Sequence, residues 1–188
     1  MWQIGTAAEV DWIAKDTSIG LTITSGIPPV FEAYATVVLP DPNEQQDLSR
    51  HQEQQERHER ALLTVLSEHS GNQSWWLGYL ETGGADIVFA DVPRVTLLPS
   101  WDYVLVAAGP EQALTWRERD PCSKGALPDL MFPADRSWLV STLWDDDWTC
   151  VGGANEMVAG LLGHPDLHAR ARRVTVEEDA TPPGHQAI

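Results

Sequence analysis

The stretch Ser137–Gly153, SWLVSTLWDDDWTCVGG, decides the fold class. Side chains alternate between the two faces of a strand, so Trp138, Val140, Thr142 and Trp144 share one face while Leu139, Ser141 and Leu143 share the other. Asp145, Asp146 and Asp147 then form a turn, because short acidic side chains bond nearby backbone amides and tolerate left-handed dihedrals. WTCVGG returns as a second strand. The segment reads as a β-hairpin with core-forming strands and an acidic tip.

Upstream of the hairpin, WWLGYLE, DIVF, VTLL and DYVLVAAG are short apolar runs cut by Gly, Pro and Asp. They predict an antiparallel meander, with ETGGAD (81–86) as the turn between the first two. Gly109 and Pro110 start a helix, PEQALTWRER, that turns Ala113, Leu114 and Trp116 inward. Asp120 to Asp135 reads as a loop. Downstream, Gly152 and Gly153 open a helix, ANEMVAGLLG, buried through Met157, Val158, Leu161 and Leu162. ARARRVTVEED is a last strand or arm.

Near the amino end, Val10, Trp12 and Ile13 anchor a short helix or turn. In IPPVFEAYATVVLP the prolines suit a helix start, and Val30, Phe31, Tyr34, Val37 and Val38 recur at helical spacing, which predicts a buried helix over Pro29 to Val38. A longer helix follows, with Asp41 as cap, Pro42 at its first position and Glu44 completing a capping box; it runs to about Ser70 and is ended by Gly71. Its first half carries a single large apolar residue, Leu48, and reads as solvated. Leu62, Leu63, Val65 and Leu66 dock the second half. The fold class is therefore α+β, a mostly antiparallel sheet with helices packed on one face and one long, largely polar helix. Residues 1–176 read as one domain from which the 42–70 helix protrudes, and 177–188 as a flexible C-terminal tail.

The chain has 28 Asp plus Glu against 12 Lys plus Arg, a net charge of -16 over 188 residues. A field of that sign repels nucleic acid and anionic membranes and attracts basic proteins or cations. It also serves solubility. No apolar run is long enough to span a bilayer, and MWQIGTAAEVDWIAKD lacks the basic start and apolar core of a signal peptide. Cys122 and Cys150 have neither metal nor redox spacing. The expectation is a cytoplasmic protein with reduced thiols and no cofactor.

The remaining motifs point away from chemistry. Glycines precede two helices, but GxGxxG and GxxxxGK[ST] are missing, and Glu111 and Glu156 occupy the turns where a phosphate would sit. Asp145, Asp146 and Asp147 lack the EF-hand spacing, and three adjacent residues on a tight turn cannot all face one ion. His51 and His58 lie on one face of the polar helix and read as solvated. His164 and His168 are four apart without the acidic residue of HExxH, and Pro165 favours a loop. There is no GxSxG elbow. Arg170, Arg172 and Arg173 form a basic cluster that reads as a set of internal ion-pair partners. Carboxylate pairs of the glycosidase kind rest on the tryptophan content alone.

IPPVFEAYATVV, the Trp-rich meander after it and DDDWTCVGG together resemble the SUKH superfamily of bacterial toxin-immunity proteins, and the chain also looks like proteins of high-GC bacteria. The likeness covers about half the chain. It departs from that pattern by inserting the long polar helix and by lacking a glycine-rich turn after the first helix. The resemblance implies an early helix, a mixed antiparallel sheet and a non-catalytic protein that occludes a toxin's active site. With the charge, it leads to an expected function as an acidic immunity or inhibitor protein for a basic protein partner, with no nucleic acid and no membrane partner. Trp144, Asp145, Asp146, Asp147 and Trp148 are the expected contacts, being apolar anchors ringed by charge; no catalytic or metal-binding residue is assigned. The rival readings are a carboxylate- or metal-dependent hydrolase, marked by a deep cleft with two acids, and a nucleic-acid mimic, marked by carboxylates spaced along one elongated face.

Overall fold

The computed structural model describes residues 2–41, 48–81, 91–98, 101–117, 125–143 and 146–187. Their strands are β1 (Gln3–Ile4), β2 (Ala33–Val38), β3 (Trp75–Leu80), β4 (Val95–Leu98), β5 (Trp101–Ala108), β6 (Leu130–Pro133), β7 (Leu139–Ser141), β8 (Trp148–Gly153) and β9 (Ala171–Val174). The α-helices are α1 (Ala7–Ala14), α2 (Leu48–Glu68) and α3 (Asn155–Gly163). All nine strands belong to one sheet, ordered β1-β5-β3-β6-β7-β8-β2-β9, with β4 also on β5. Each pairing is antiparallel. The class is α+β, as the sequence predicts.

The hairpin that anchors this reading is present as β7–β8, with Leu139 opposite Gly152 and Ser141 opposite Cys150. Its alternation sorts side chains to two cores. Trp138 and Val140 join Leu77, Val106 and Met131 on the face covered by α2 and α3. Leu139 joins Leu105, Leu130 and Phe132 on the other face, which is covered by α1, Ile23 and Ile27. The two longer helices thus share one face, and the short α1 sits on the opposite one.

Several expectations change on contact with the structure. Residues 33–38 are strand, not the end of a helix, and β2 sits between β8 and β9. The segment misleads because every residue from Ala33 to Val37 is buried, so neither face shows the polar alternation that marks a half-exposed strand. A second strand, β6, lies inside the expected loop; all four of its residues are buried between β3 and β7. The helix after Gly109 is a short 3₁₀ turn, Pro110–Leu114, with Ala113 and Trp116 still turned inward.

The fourth change concerns α2. Its second half docks through Ala61, Leu62, Leu63, Val65 and Leu66, and the chain leaves it through Gly71 at φ +57, a left-handed value that suits glycine. Its first half is not wholly solvated, for Gln55, His58 and Glu59 are buried against the body. Loop residue Gly125 makes this seat possible. At φ +109 it brings the backbone so close that a Cβ there would lie 2.2 Å from Glu59 Oε1, and the Ala126 N–H donates to that oxygen at 2.6 Å.

The C-terminal segment is likewise docked rather than loose. Asp179 bridges Thr22, the Ala180 N–H donates to the Leu21 carbonyl at 2.8 Å, and Ala180 and Pro182 are buried. Among the described residues, no helix is long and apolar enough to cross a membrane. The expected strand DIVF, residues 82–86 of the expected 81–86 turn, Pro42 and Glu44 of the expected helix start capped by Asp41, Cys122, and the hairpin residues Trp144 and Asp145 lie outside the described residues.

Candidate functional site

Of the five expected contact residues, three are described, and the fold treats them differently. Trp148 is core, buried between β2 and β7, its ring centroid 6.2 Å from that of His185 with the two rings nearly perpendicular. Asp146 is tucked inward at 6% exposure, its N–H bonded to the Leu143 carbonyl at 3.2 Å. Asp147 faces solvent with 59% of its side chain exposed and holds His185 Nδ1 at 2.6 Å from Oδ2.

Asp146 and Trp148 line a hollow of about 110 Å³ at this corner of the sheet. Leu21, Ser25 and Cys150 line it as well, together with Ala180 and Ala187 of the docked tail. Burial pushes the Cys150 thiol up to about 12, and the Asp146 charge acts in the same direction. The thiol is therefore a neutral wall at physiological pH. Leu21, in the lining of the hollow, is 56% exposed, and Ile19, two residues earlier in the chain, is 94% exposed. Glu177, Glu178 and Asp179 are exposed where the tail meets that loop.

A second polar pocket, unforeseen from the sequence, lies under α2. Its volume is about 20 Å³, and Gln55, His58, Arg117, Asp129, Thr142 and Thr149 line it. His58 is 0% exposed, and neither ring nitrogen has a hydrogen-bond partner among the described residues. Burial, with the Arg170 charge adding to it, lowers its pKa to about 3. That corrects the solvated reading of His58; His51, two turns earlier, is half-buried. Arg117 pairs with Asp129 and lies 5.4 Å from the Tyr79 ring centroid, and Asp129 also accepts the Leu80 N–H at 2.8 Å. Thr142 and Thr149 hydroxyls meet at 2.9 Å.

The other motifs resolve into structure. His164 ends α3, its Nδ1 accepting the Asp166 N–H at 3.2 Å, and the His168 ring sits 2.9 Å from the Pro165 carbonyl. Arg170 donates to the carbonyls of Asp166 and Val38, and Arg172 to those of Asp179 and Thr181. Arg173 reaches the Asn155 amide oxygen at 3.1 Å. The cluster thus serves carbonyl groups left over at element ends, where the sequence reading expects carboxylates. Among the described residues, no three His, Cys, Asp or Glu side chains assemble into a metal ligand set.

Known proteins add nothing to this geometry. No family model, no curated protein and no solved structure matches the chain.

Proposed function

We propose that this chain is an acidic protein-binding module, of the inhibitor or immunity kind, that engages a basic protein partner at the corner where the β7–β8 hairpin, the 17–22 loop and the C-terminal tail meet. The observation that carries the reading is the exposure of Ile19 and Leu21 on the loop whose Thr22 bridges Asp179, next in the chain to exposed Glu177 and Glu178, with Asp147 tied to the same tail through His185. Large aliphatic side chains in water usually belong to a contact surface when they are grouped and rimmed by charge. The net charge of -16 selects the sign of the partner and steers its approach.

The test is a charge reversal. Asp147→Lys with Glu178→Lys should slow association with the partner isolated from the source organism, and added salt should slow the wild type toward the variant's rate. A partner that binds both proteins equally fast, at low and high salt alike, would remove this corner and the electrostatic argument together.

A further inference from the structure

Helix α2 is held to the body by two kinds of contact, and they respond differently to acid. Its carboxyl half docks through Leu62, Leu63, Val65 and Leu66, which share one core with Leu77 and Met131. Its amino half is held through Gln55, His58 and Glu59, all three buried. Glu59 accepts the Ala126 N–H at 2.6 Å, and the Gln55 amide donates to it at 3.4 Å. His58 has no such bond: both ring nitrogens are buried without a hydrogen-bond partner, and the ring lines the polar pocket of about 20 Å³. A neutral imidazole can stay there. An imidazolium would carry two N–H donors and a full charge into a pocket with room for about one water, which cannot replace the hydration shell of an ion.

The groups around the ring offer that charge no counter-ion. Among the described residues lining the pocket, Asp129 is the one carboxylate, and it already accepts from Arg117 and from the Leu80 N–H. The hairpin β7–β8 brings the Thr142 and Thr149 hydroxyls, bonded to each other, and β6 brings Met131. On α2 itself, Glu59 is turned to Ala126, Glu56 pairs with Arg60, and His51, two turns back, is half-buried. Burial, and after it the charge of Arg170 just ahead of β9, keeps His58 neutral. We infer that the amino half of α2, residues 48–60, is an acid-released cover: a proton on His58 detaches it from the polar pocket while the apolar carboxyl half stays docked. The inference stands apart from the protein-binding reading. Helix ends are where local opening comes most readily, and Arg50, Gln52 and Glu53 are already exposed, so the first turns lose little by leaving. In the open form the ring reaches water and takes its ordinary value near 6.5. Each pH unit below that value then favours the open form by about tenfold, for as long as the closed form stays neutral.

The experiment is amide hydrogen exchange on the whole protein, with protection taken relative to the intrinsic rate at each pH. Protection at residues 55–60 should fall about 30-fold between about pH 7.5 and about pH 5. It should hardly change with urea below the unfolding transition, because a local opening exposes little surface. Residues 62–66 and strand β3 should be better protected at every pH and lose protection steeply with urea, since they exchange through global unfolding. His58→Met should remove the pH dependence at 55–60. Should that variant misfold, the carbon-13 shift of the His58 ring in the wild type takes its place, and the ring should charge well below its ordinary value. The inference is overturned if residues 55–60 share the protection and the urea dependence of β3, if their protection is the same at both pH values, or if the variant opens in parallel with the wild type. A ring that charges near its ordinary value while 55–60 keep their protection overturns it as well.

Discussion

Replacing His58 with methionine tests whether the seat of α2 is as buried as the structure has it. The imidazole has its ordinary value near 6.5 when the chain unfolds and about 3 when it is folded. Between those values the unfolded chain binds the proton and the native state does not, so stability is intact above the unfolded value and drains away as the pH falls toward the folded one. The loss runs at about 1.4 kcal/mol for each pH unit between the two values, so this one group removes about 2 kcal/mol between about pH 7.5 and about pH 5, and about 5 kcal/mol by about pH 3. Carboxylates that protonate in the same range act on wild type and variant alike, so the difference between the two proteins isolates His58. The assay is urea unfolding followed by tryptophan fluorescence, which nine indoles make sensitive. Wild type should lose about 2 kcal/mol more than His58→Met over that pH span. Parallel losses in the two proteins would mean that the ring reaches water in the native state, and the burial argument would fail.

Two further substitutions probe the polar contacts that tie the sheet to its helix and loop. The Ser70 hydroxyl accepts the Trp138 indole N–H at 2.9 Å and donates to the Leu66 carbonyl at 2.6 Å, both inside the core. Ser70→Ala should therefore cost about 1–3 kcal/mol in a denaturant titration, and a cost near zero would show that the indole needs no partner there. Asp129→Ala takes the counter-charge from the buried Arg117 guanidinium and the acceptor from the Leu80 N–H, and should cost about 3–5 kcal/mol. Adding Arg117→Met to it should recover part of that loss; a purely additive double variant would show that the pair is not coupled.

Elements whose pattern is local were legible. The β7–β8 hairpin, β3, β5 and the docked half of α2 announce themselves because neighbours in sequence share one environment, and alternation or helical spacing records it. Strands β2 and β6 were not legible, because both of their faces are buried and a continuous apolar run carries no period. The burial of His58 and Glu59 was invisible for a different reason. The seat of Glu59 depends on Gly125 adopting a left-handed backbone far along the chain, and that of His58 on packing beside Leu39, Arg117 and Asp129, so a polar helix face that looks solvated meets distant segments. The hairpin tip was singled out for its charge, but its hollow is built from three segments. Nothing in residues 137–153 says that 21 and 180–187 will close over them. Asp129 and Arg117 could have been suspected only as a charge pair bracketing an apolar run.

Strand β2 is translated early, yet both of its sheet neighbours, β8 and β9, come from the far end of the chain. While the ribosome is still making the middle, AYATVV is an apolar ribbon with two open edges and nothing yet synthesised to pair with them. A nascent chain stalled before residue 148 should therefore recruit a holdase chaperone through this ribbon, and release it once β8 and β9 have emerged.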